Sequence, residues 1–427
     1  MIKKSGDYQI KNARISAGYN VLGGIDFYRN SGTHTHIVAC DGATADIYID
    51  SGSAWTAQSQ SLTAANKVRF AYSPTLDTLF AVNYADATRS YNGSSWSTST
   101  NVTSAPKGKY IISFGRRIYI LNAVVGADSF QSRAYRSSLV DSETITWDTT
   151  NDWIVFDDVI SGVGKNGENM FVGCDTGCWV FTLSDQKYLV STQGCVSGDS
   201  ISSYGRWTFW AARDGIYAFD GASDKKISLP IQDYWDGIST ANLSNIQAKV
   251  VGHHLYIYIG DITSPETMTN VLFDYNILQN TFYRIKLGEE CKNLNTYVTS
   301  TGEKLFFGND DGEVFQMFAS SAQYTATFPS SFETNWIYGS GEREIDEYRE
   351  VWALGEKVSG MNVFYKADDS GWEPIGQLEG VTDVVKLKVP AYRIKFKFQE
   401  FSKNNMYEIH AVYVGYEPKH DKGEDEE

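Results

Sequence analysis

Along this chain, apolar and polar residues alternate over short stretches bounded by Gly, Asn, Asp and Ser. A period of two predicts strands rather than helices almost throughout. One phrase recurs: an aromatic-rich strand, a tight Asn/Asp–Gly turn, then another aromatic. It reads Ile47-Tyr48-Ile49-Asp50-Ser51-Gly52-Ser53-Ala54-Trp55, then Tyr91-Asn92-Gly93-Ser94-Ser95-Trp96, and most fully from Trp207 through Arg213-Asp214-Gly215 to Phe219-Asp220-Gly221. A hairpin unit repeated every few dozen residues marks a radial β architecture, in which each unit buries its faces only against its neighbours.

Units cover residues 34–55 and 69–96, and a third opens with Tyr110-Ile111-Ile112-Ser113-Phe114. Later units centre on Met170-Phe171-Val172 with Trp179-Val180-Phe181, on residues 207–219, on Leu255-Tyr256-Ile257-Tyr258-Ile259 with Val271-Leu272-Phe273, and on Leu305-Phe306-Phe307-Gly308 with Val314-Phe315-Gln316-Met317. Comparable turns lie about 40 residues apart in several places, the length of a four-stranded blade. Residues 122–164 are long enough to hold an insertion, so six and seven blades both fit. The fold class is therefore all-β: an irregular six- or seven-bladed β-propeller over residues 1–320, followed by a C-terminal β-sandwich-like domain.

Ahead of the first unit, residues 13–22 read as a strand that would complete the last blade and remove an open sheet edge. The one helical signal is Pro230-Ile231-Gln232-Asp233-Tyr234-Trp235 after Ser228. The pattern changes near Ser320. Residues 341–350 read as a charged connection leading into an edge strand, and Val363-Phe364-Tyr365-Lys366 with Asp368-Asp369-Ser370-Gly371-Trp372 as a hairpin. In Tyr392-Arg393-Ile394-Lys395-Phe396-Lys397-Phe398 the apolar residues fall on one face and the basic ones on the other. Residues 321–418 have the usual size of a domain. The acidic, apolar-free residues 419–427 are expected to be disordered.

Composition narrows the function. Aromatic residues make up 14% of the chain, with 27 Tyr and 11 Trp, and suit pleated surfaces. The formal net charge of −15 argues against a protein that grips nucleic acid, because such binding is driven by Lys and Arg neutralising phosphates. Arg116-Arg117 and Lys225-Lys226 are isolated basic pairs and read as solvated surface. An acidic wall can still pass DNA, since repulsion keeps the polymer from sticking. The five cysteines, Cys40, Cys174, Cys178, Cys195 and Cys291, are odd in number and scattered, and read as small buried residues rather than a disulfide framework or zinc site. The start, Met1-Ile2-Lys3-Lys4-Ser5-Gly6, lacks the apolar stretch of a signal peptide, and no run approaches the ~20 apolar residues of a membrane span. A soluble, cytoplasmically made chain is expected.

Catalytic chemistry is hard to find. His34 and His36 share a strand face with no acidic or Cys partner nearby in sequence, and His253-His254 points two ways at a blade edge. No phosphate loop or nucleophile elbow is present. Asp50-Ser51-Gly52-Ser53-Ala54-Trp55 resembles the Asp-box turn of sialidase-like propellers, but Tyr48 and Ala54 depart from its pattern and the second copy has Tyr91 in the aspartate position. In sialidases that turn is structural. The expectation is no catalytic, cofactor-binding or metal-ligating residue, no cofactor, and no enzyme.

A longer resemblance runs through the chain. Arg133-Ala134-Tyr135-Arg136-Ser137-Ser138-Leu139 with Thr144-Ile145-Thr146-Trp147, then Gly194-Cys195-Val196-Ser197-Gly198-Asp199-Ser200-Ile201, then Arg213-Asp214-Gly215-Ile216-Tyr217, Phe219-Asp220-Gly221, Ile227-Ser228 and Pro230-Ile231 follow one another in an order similar to tailed-phage propeller proteins. The chain resembles the tail nozzle (tail tubular protein B, or DNA-stabilisation hub) family of short-tailed phages. That resemblance implies a virion structural protein in the tail, assembled in the host cytoplasm. It also implies a homo-oligomeric ring, hexameric in such nozzles, bound to the tail adaptor and other tail proteins, away from any membrane. Genomic double-stranded DNA would pass through the ring without sequence-specific contact, and the ring would close the ejection channel. A glycan- or protein-binding propeller is the alternative, with a sialidase-like glycosidase behind it.

Overall fold

A computed structural model describes residues 8–140, 144–265, 267–318, 330–334, 336–341, 344–356, 360–380, 384–400 and 408–418. The leading residues 1–6 and the acidic stretch 419–427 lie outside the described residues. Residues Ile10–Met317 form one compact unit, and the C-terminal region forms another.

The first unit is a β-propeller of seven four-stranded antiparallel sheets. Blade 1 holds Val21–Tyr28, His34–Cys40, Asp46–Asp50 and Trp55–Ala57, and blade 2 holds Arg69–Ser73, Thr78–Val82, Arg89–Tyr91 and Trp96–Ser97. Blade 3 holds Lys107–Phe114, Arg117–Val125, Asp128–Arg136 and Trp153–Val155, and blade 4 holds Ile160–Asn166, Asn169–Cys174, Cys178–Phe181 and Lys187–Ser191. Blade 5 holds Ser202–Tyr204, Trp207–Ala212, Gly215–Phe219 and Asp224–Lys226. Blade 6 holds Gln247–Val251, His254–Ile262, Met268–Asn276 and Thr281–Lys286. Blade 7 combines Asn293–Thr299, Gly302–Gly308 and Val314–Met317 with the N-terminal strand Tyr8–Ile10. The first strand of each blade packs against that of the next, and blade 7 packs against blade 1, so the ring is closed.

The closing strand differs from the expected one. Residues 13–22 do not form it. Ile15 instead donates its backbone N–H to the Gly312 carbonyl as the chain turns, while Tyr8–Ile10 takes the outer position of blade 7. The short helix is where the sequence placed it, as a 3-10 turn Leu229–Ile231 continuing into the helix Gln232–Asp236.

Blade cores explain why the second strands read as unbroken apolar runs. Thr78–Val82 is buried at every position. Leu79 packs in the core between blades 1 and 2, whereas the next residue, Phe80, packs in the core between blades 2 and 3. Ile118 and Ile120 likewise face blade 2 while Tyr119 and Leu121 face blade 4. Met170 and Phe171 divide between blades 3 and 5, and Phe209 and Trp210 between blades 6 and 4. Each such side chain contributes roughly 1.5–3 kcal/mol of burial, and removing one blade would expose two cores. At the inner wall Gly23 fits close against blade 2: a Cβ there would lie 2.0 Å from the Val68 carbonyl oxygen.

The C-terminal unit is a two-sheet sandwich. One sheet orders Ser330–Glu333, Ile394–Glu400, Met361–Ala367 and Glu373–Leu378. The other orders Val384–Ala391, Asp346–Glu356 and Glu408–Pro418. Asp346–Glu356 is the central strand of its sheet, not an edge. Tyr348, Val351 and Ala353 are fully buried within the sandwich core, and this inward set outweighs the charged neighbours that suggested an edge. Ile394, Phe396 and Phe398 are buried while Lys395 and Lys397 stay on the other face.

Candidate functional site

The inner strands carry cations near their starts. Lys67 precedes and Arg69 opens the inner strand of blade 2, Lys109 lies on that of blade 3, and Lys249 on that of blade 6. Asp199 sits in the 3-10 turn Gly198–Ser200 that leads into blade 5. Arg69 holds this carboxylate with two bonds, Nε to Oδ1 at 3.0 Å and Nη2 to Oδ2 at 3.2 Å, and Lys67 Nζ reaches Oδ2 at 2.6 Å. Blades 2 and 5 are not neighbours in a closed ring of seven, so this ion pair crosses the propeller axis. It is partly shielded, with side-chain exposures of 18% for Arg69 and 21% for Asp199.

The remaining Arg69 Nη1 donates to the Lys109 carbonyl at 3.0 Å, and the guanidinium lies 4.5 Å over the Tyr110 ring. This fork geometry suits arginine and not lysine. Burial alone would raise the Asp199 carboxyl, but the Arg69 and Lys67 charges outweigh it and hold Asp199 well below the usual carboxylate range. Burial depresses the Lys109 ammonium, and the Arg69 charge adds to that effect. Burial likewise depresses Lys249, which feels both Asp199 and Arg69.

A cleft of about 320 Å³ opens beside the pair, walled by Lys67, Arg69 and Lys109 and by Asn66, Asn83 and Asn122. Three residues of its wall share one backbone feature. Ala65, Tyr84 and Asn122 all line it, and all adopt left-handed backbone conformations, with φ of +61°, +68° and +50°. Non-glycine residues held there concentrate at sites where the surroundings over-determine the backbone. Asn122 Nδ2 donates to the Ile160 carbonyl at 2.8 Å, and Asn83 exchanges two hydrogen bonds with Asp86, which locks these turns. The cleft is a hollow between blades 2 and 3, with Lys67, Arg69 and Lys109 on its wall.

The residues singled out from sequence lie elsewhere. His34 Nδ1 pairs with Asp26 Oδ2 at 2.7 Å. His36 is fully buried, bonded through Nε2 to Asn295 Oδ1 at 3.1 Å and stacked on Tyr297 at 4.8 Å. Burial, with the Lys11 charge nearby, lowers its pKa to about 3. His254 Nδ1 meets the buried Asp274 Oδ1 at 2.7 Å, with His253 in the preceding turn. Among the described residues no group of three or more His, Cys, Asp or Glu side chains is close enough to hold a metal. All five cysteines are buried and free.

The Asp-box-like turn is structural. Asp50 accepts from the Gly52 N–H at 2.7 Å and from Asn12 Nδ2 at 2.8 Å, and it pairs with Lys11 Nζ at 2.8 Å, so it ties the N-terminal segment to blade 1. Arg116 is exposed, as read from the sequence, while Arg117 is half-buried. Arg116 Nη2 donates to the Val140 carbonyl at 3.0 Å, while Arg117 reaches the Ser137 carbonyl and Asp152, so the pair ties Ser137, Val140 and Asp152 to the rim of blade 3. The segment Lys67-Val68-Arg69 and its counterpart Lys107-Gly108-Lys109, each with basic residues two apart at the start of an inner strand, are the signal that marks the axis. It becomes legible only once the inner strands are known.

No protein-family model and no curated protein matches the chain. Among solved structures, YCF48 from Cyanidioschyzon merolae aligns over 73% of this chain and 98% of its own, at 8% identity and a TM-score of 0.45. A catalytically inactive virginiamycin B lyase from Staphylococcus aureus, solved with quinupristin, aligns over 73% and 99%, at 12% identity and a TM-score of 0.48. The fold assignment rests on the chain's own seven sheets.

Proposed function

We propose that this protein is a structural subunit of a tailed-phage tail, a nozzle or hub component that assembles into a homo-oligomeric ring around the DNA ejection channel. The observation that carries this reading is the closed axis of the propeller. Lys67 and Arg69 reach across to Asp199, and apolar cores fill the spaces between the blades, so each propeller is a solid building block. A polymer would then run between subunits and not through a blade ring. The net charge of −15 suits such a lumen, where contact with phosphates is to be avoided. Residues 133–139 and 144–147, which carry the resemblance to the phage proteins, lie at the third strand of blade 3 and beyond it, with Trp147 Nε1 bonded to the Asn101 carbonyl, where a neighbouring subunit or tail protein can meet them.

In this role the chain acts without turnover and without a cofactor, and its partners are its own copies and the tail adaptor. Native mass measurement of the purified chain, alone and mixed with the candidate adaptor, tests this. A sixfold ring or recruitment into a tail complex is expected. A monomer in both samples would defeat the reading and favour a glycan- or protein-binding propeller, for which the cleft between blades 2 and 3 is the place to look.

A further inference from the structure

The cleft between blades 2 and 3 does not end at its own wall. Gln131 and Val159, which line it, also line an open hollow of about 520 Å³ that continues along the strand Asp128–Arg136 to Asp157 and Asp158. The two hollows form one groove along blade 3. Its inner part is braced across the blade boundary. Tyr84 donates its backbone N–H to the Gly108 carbonyl at 2.8 Å, and its hydroxyl meets Ser129 Oγ at 2.9 Å, so the turn after the second strand of blade 2 is fixed to blade 3 by main chain and side chain. Walls held in place before a ligand arrives lower the cost of binding.

The lining decides which class of ligand fits. Asn66, Asn122 and Gln131 bring carboxamides, each with donors and an acceptor. Asn122 commits one N–H to the Ile160 carbonyl, and among the described residues the Gln131 side chain takes part in no hydrogen bond. Lys109 adds donors at one end, and Asp157 and Asp158 add acceptors at the other. An anion is repelled by the carboxylates and a cation by the lysine. Apolar surface is scattered over Tyr84, Phe130 and Val159, so a lipid or an apolar peptide finds no continuous wall. An uncharged molecule rich in hydroxyl groups uses both kinds of partner, because each hydroxyl donates and accepts. We propose that this groove binds a neutral oligosaccharide, with Gln131 at the junction of the two hollows as its central contact. Each hollow alone falls in the range of about 300–1,000 Å³ usual for small-ligand sites, so the groove takes a chain of sugars and not a single ring.

Saturation-transfer NMR on the purified full chain tests this and does not depend on ring assembly. Maltotriose, cellotriose, mannotriose and chitotriose serve as neutral probes and trigalacturonate as the acidic one. Saturable transfer to at least one neutral trisaccharide, with weaker binding of trigalacturonate, is expected. Gln131→Ala weakens that binding about fivefold, the worth of one hydrogen bond, and leaves the thermal midpoint unmoved, because its amide holds no other part of the protein. Three results would overturn the assignment: no saturable transfer to any neutral probe with folded wild-type protein, tightest binding of trigalacturonate, or unchanged affinity in the Gln131→Ala/Lys109→Ala double variant.

Discussion

Cations cluster in two places in this chain, and their neighbours differ. On the open face of the C-terminal sandwich, Lys397 Nζ lies 4.7 Å from the Trp372 ring centre and 4.9 Å from that of Phe364, and Arg393 lies 4.4 Å from that of Trp336. Lys395 adds an ion pair with Glu333 at 3.1 Å. At the propeller axis Arg69 and Lys109 share one ring, that of Tyr110, at 4.5 and 5.6 Å, and Lys67 and Arg69 meet on one carboxylate brought from the opposite side of the ring. A flat sheet spaces its side chains, so each cation finds a local partner. A ring of inner strands aims side chains at one line, where like charges crowd and a single acid has to hold them. Charge on the sandwich face therefore serves local packing, whereas charge at the axis braces the ring.

The largest test of this difference is Asp199→Ala. It strands Arg69 and Lys67 in a shielded site, and loss of one partner of such a pair costs on the order of 3 kcal/mol. Chemical denaturation read by tryptophan fluorescence should show a loss of that size. A change below about 0.5 kcal/mol would mean that the bridge is incidental.

Acid comes next. Asp199 is depressed in the folded state, so its contribution is present above the unfolded carboxyl value near 4 and is lost as pH falls below it. His36 has a folded pKa of about 3 against an ordinary 6.5, so the unfolded chain takes up its proton first, and stability falls as pH drops from about 6.5 toward 3. The slope from His36 approaches roughly 1.4 kcal/mol per pH unit. Unfolding curves at several pH values should therefore lose their slope between pH 6 and 4.5 in His36→Gln and keep the steeper fall below pH 4. Unchanged slopes would place the acid sensitivity elsewhere.

The smallest effect belongs to the sandwich. Lys397→Ala should cost under about 1 kcal/mol, the worth of a part-exposed cation over an aromatic ring, read by the same denaturation. A loss as large as that of Asp199→Ala would mean that the two cationic regions do not differ in the way argued.

Much of the fold was legible because the second strand of each blade is buried on both faces, which makes runs such as Leu305-Phe306-Phe307 stand out. The closing strand was not, because Tyr8–Ile10 is three residues long and its partner, Val314–Met317, lies at the far end of the propeller. The central strand Asp346–Glu356 looked like an edge because its charges are local, while the buried set Tyr348, Val351 and Ala353 has meaning only with strands on both sides. The axial site was hidden for a related reason. Lys67 and Asp199 are 132 residues apart, and only ring closure brings them together.

The most direct test of the account is an electron cryo-microscopy reconstruction of the chain assembled with the tail adaptor and DNA. The account predicts a ring of subunits with DNA in the central lumen between them, and every propeller axis crossed by side-chain density joining Arg69 to Asp199. An open propeller bore, or DNA density running through the blades themselves, would contradict it.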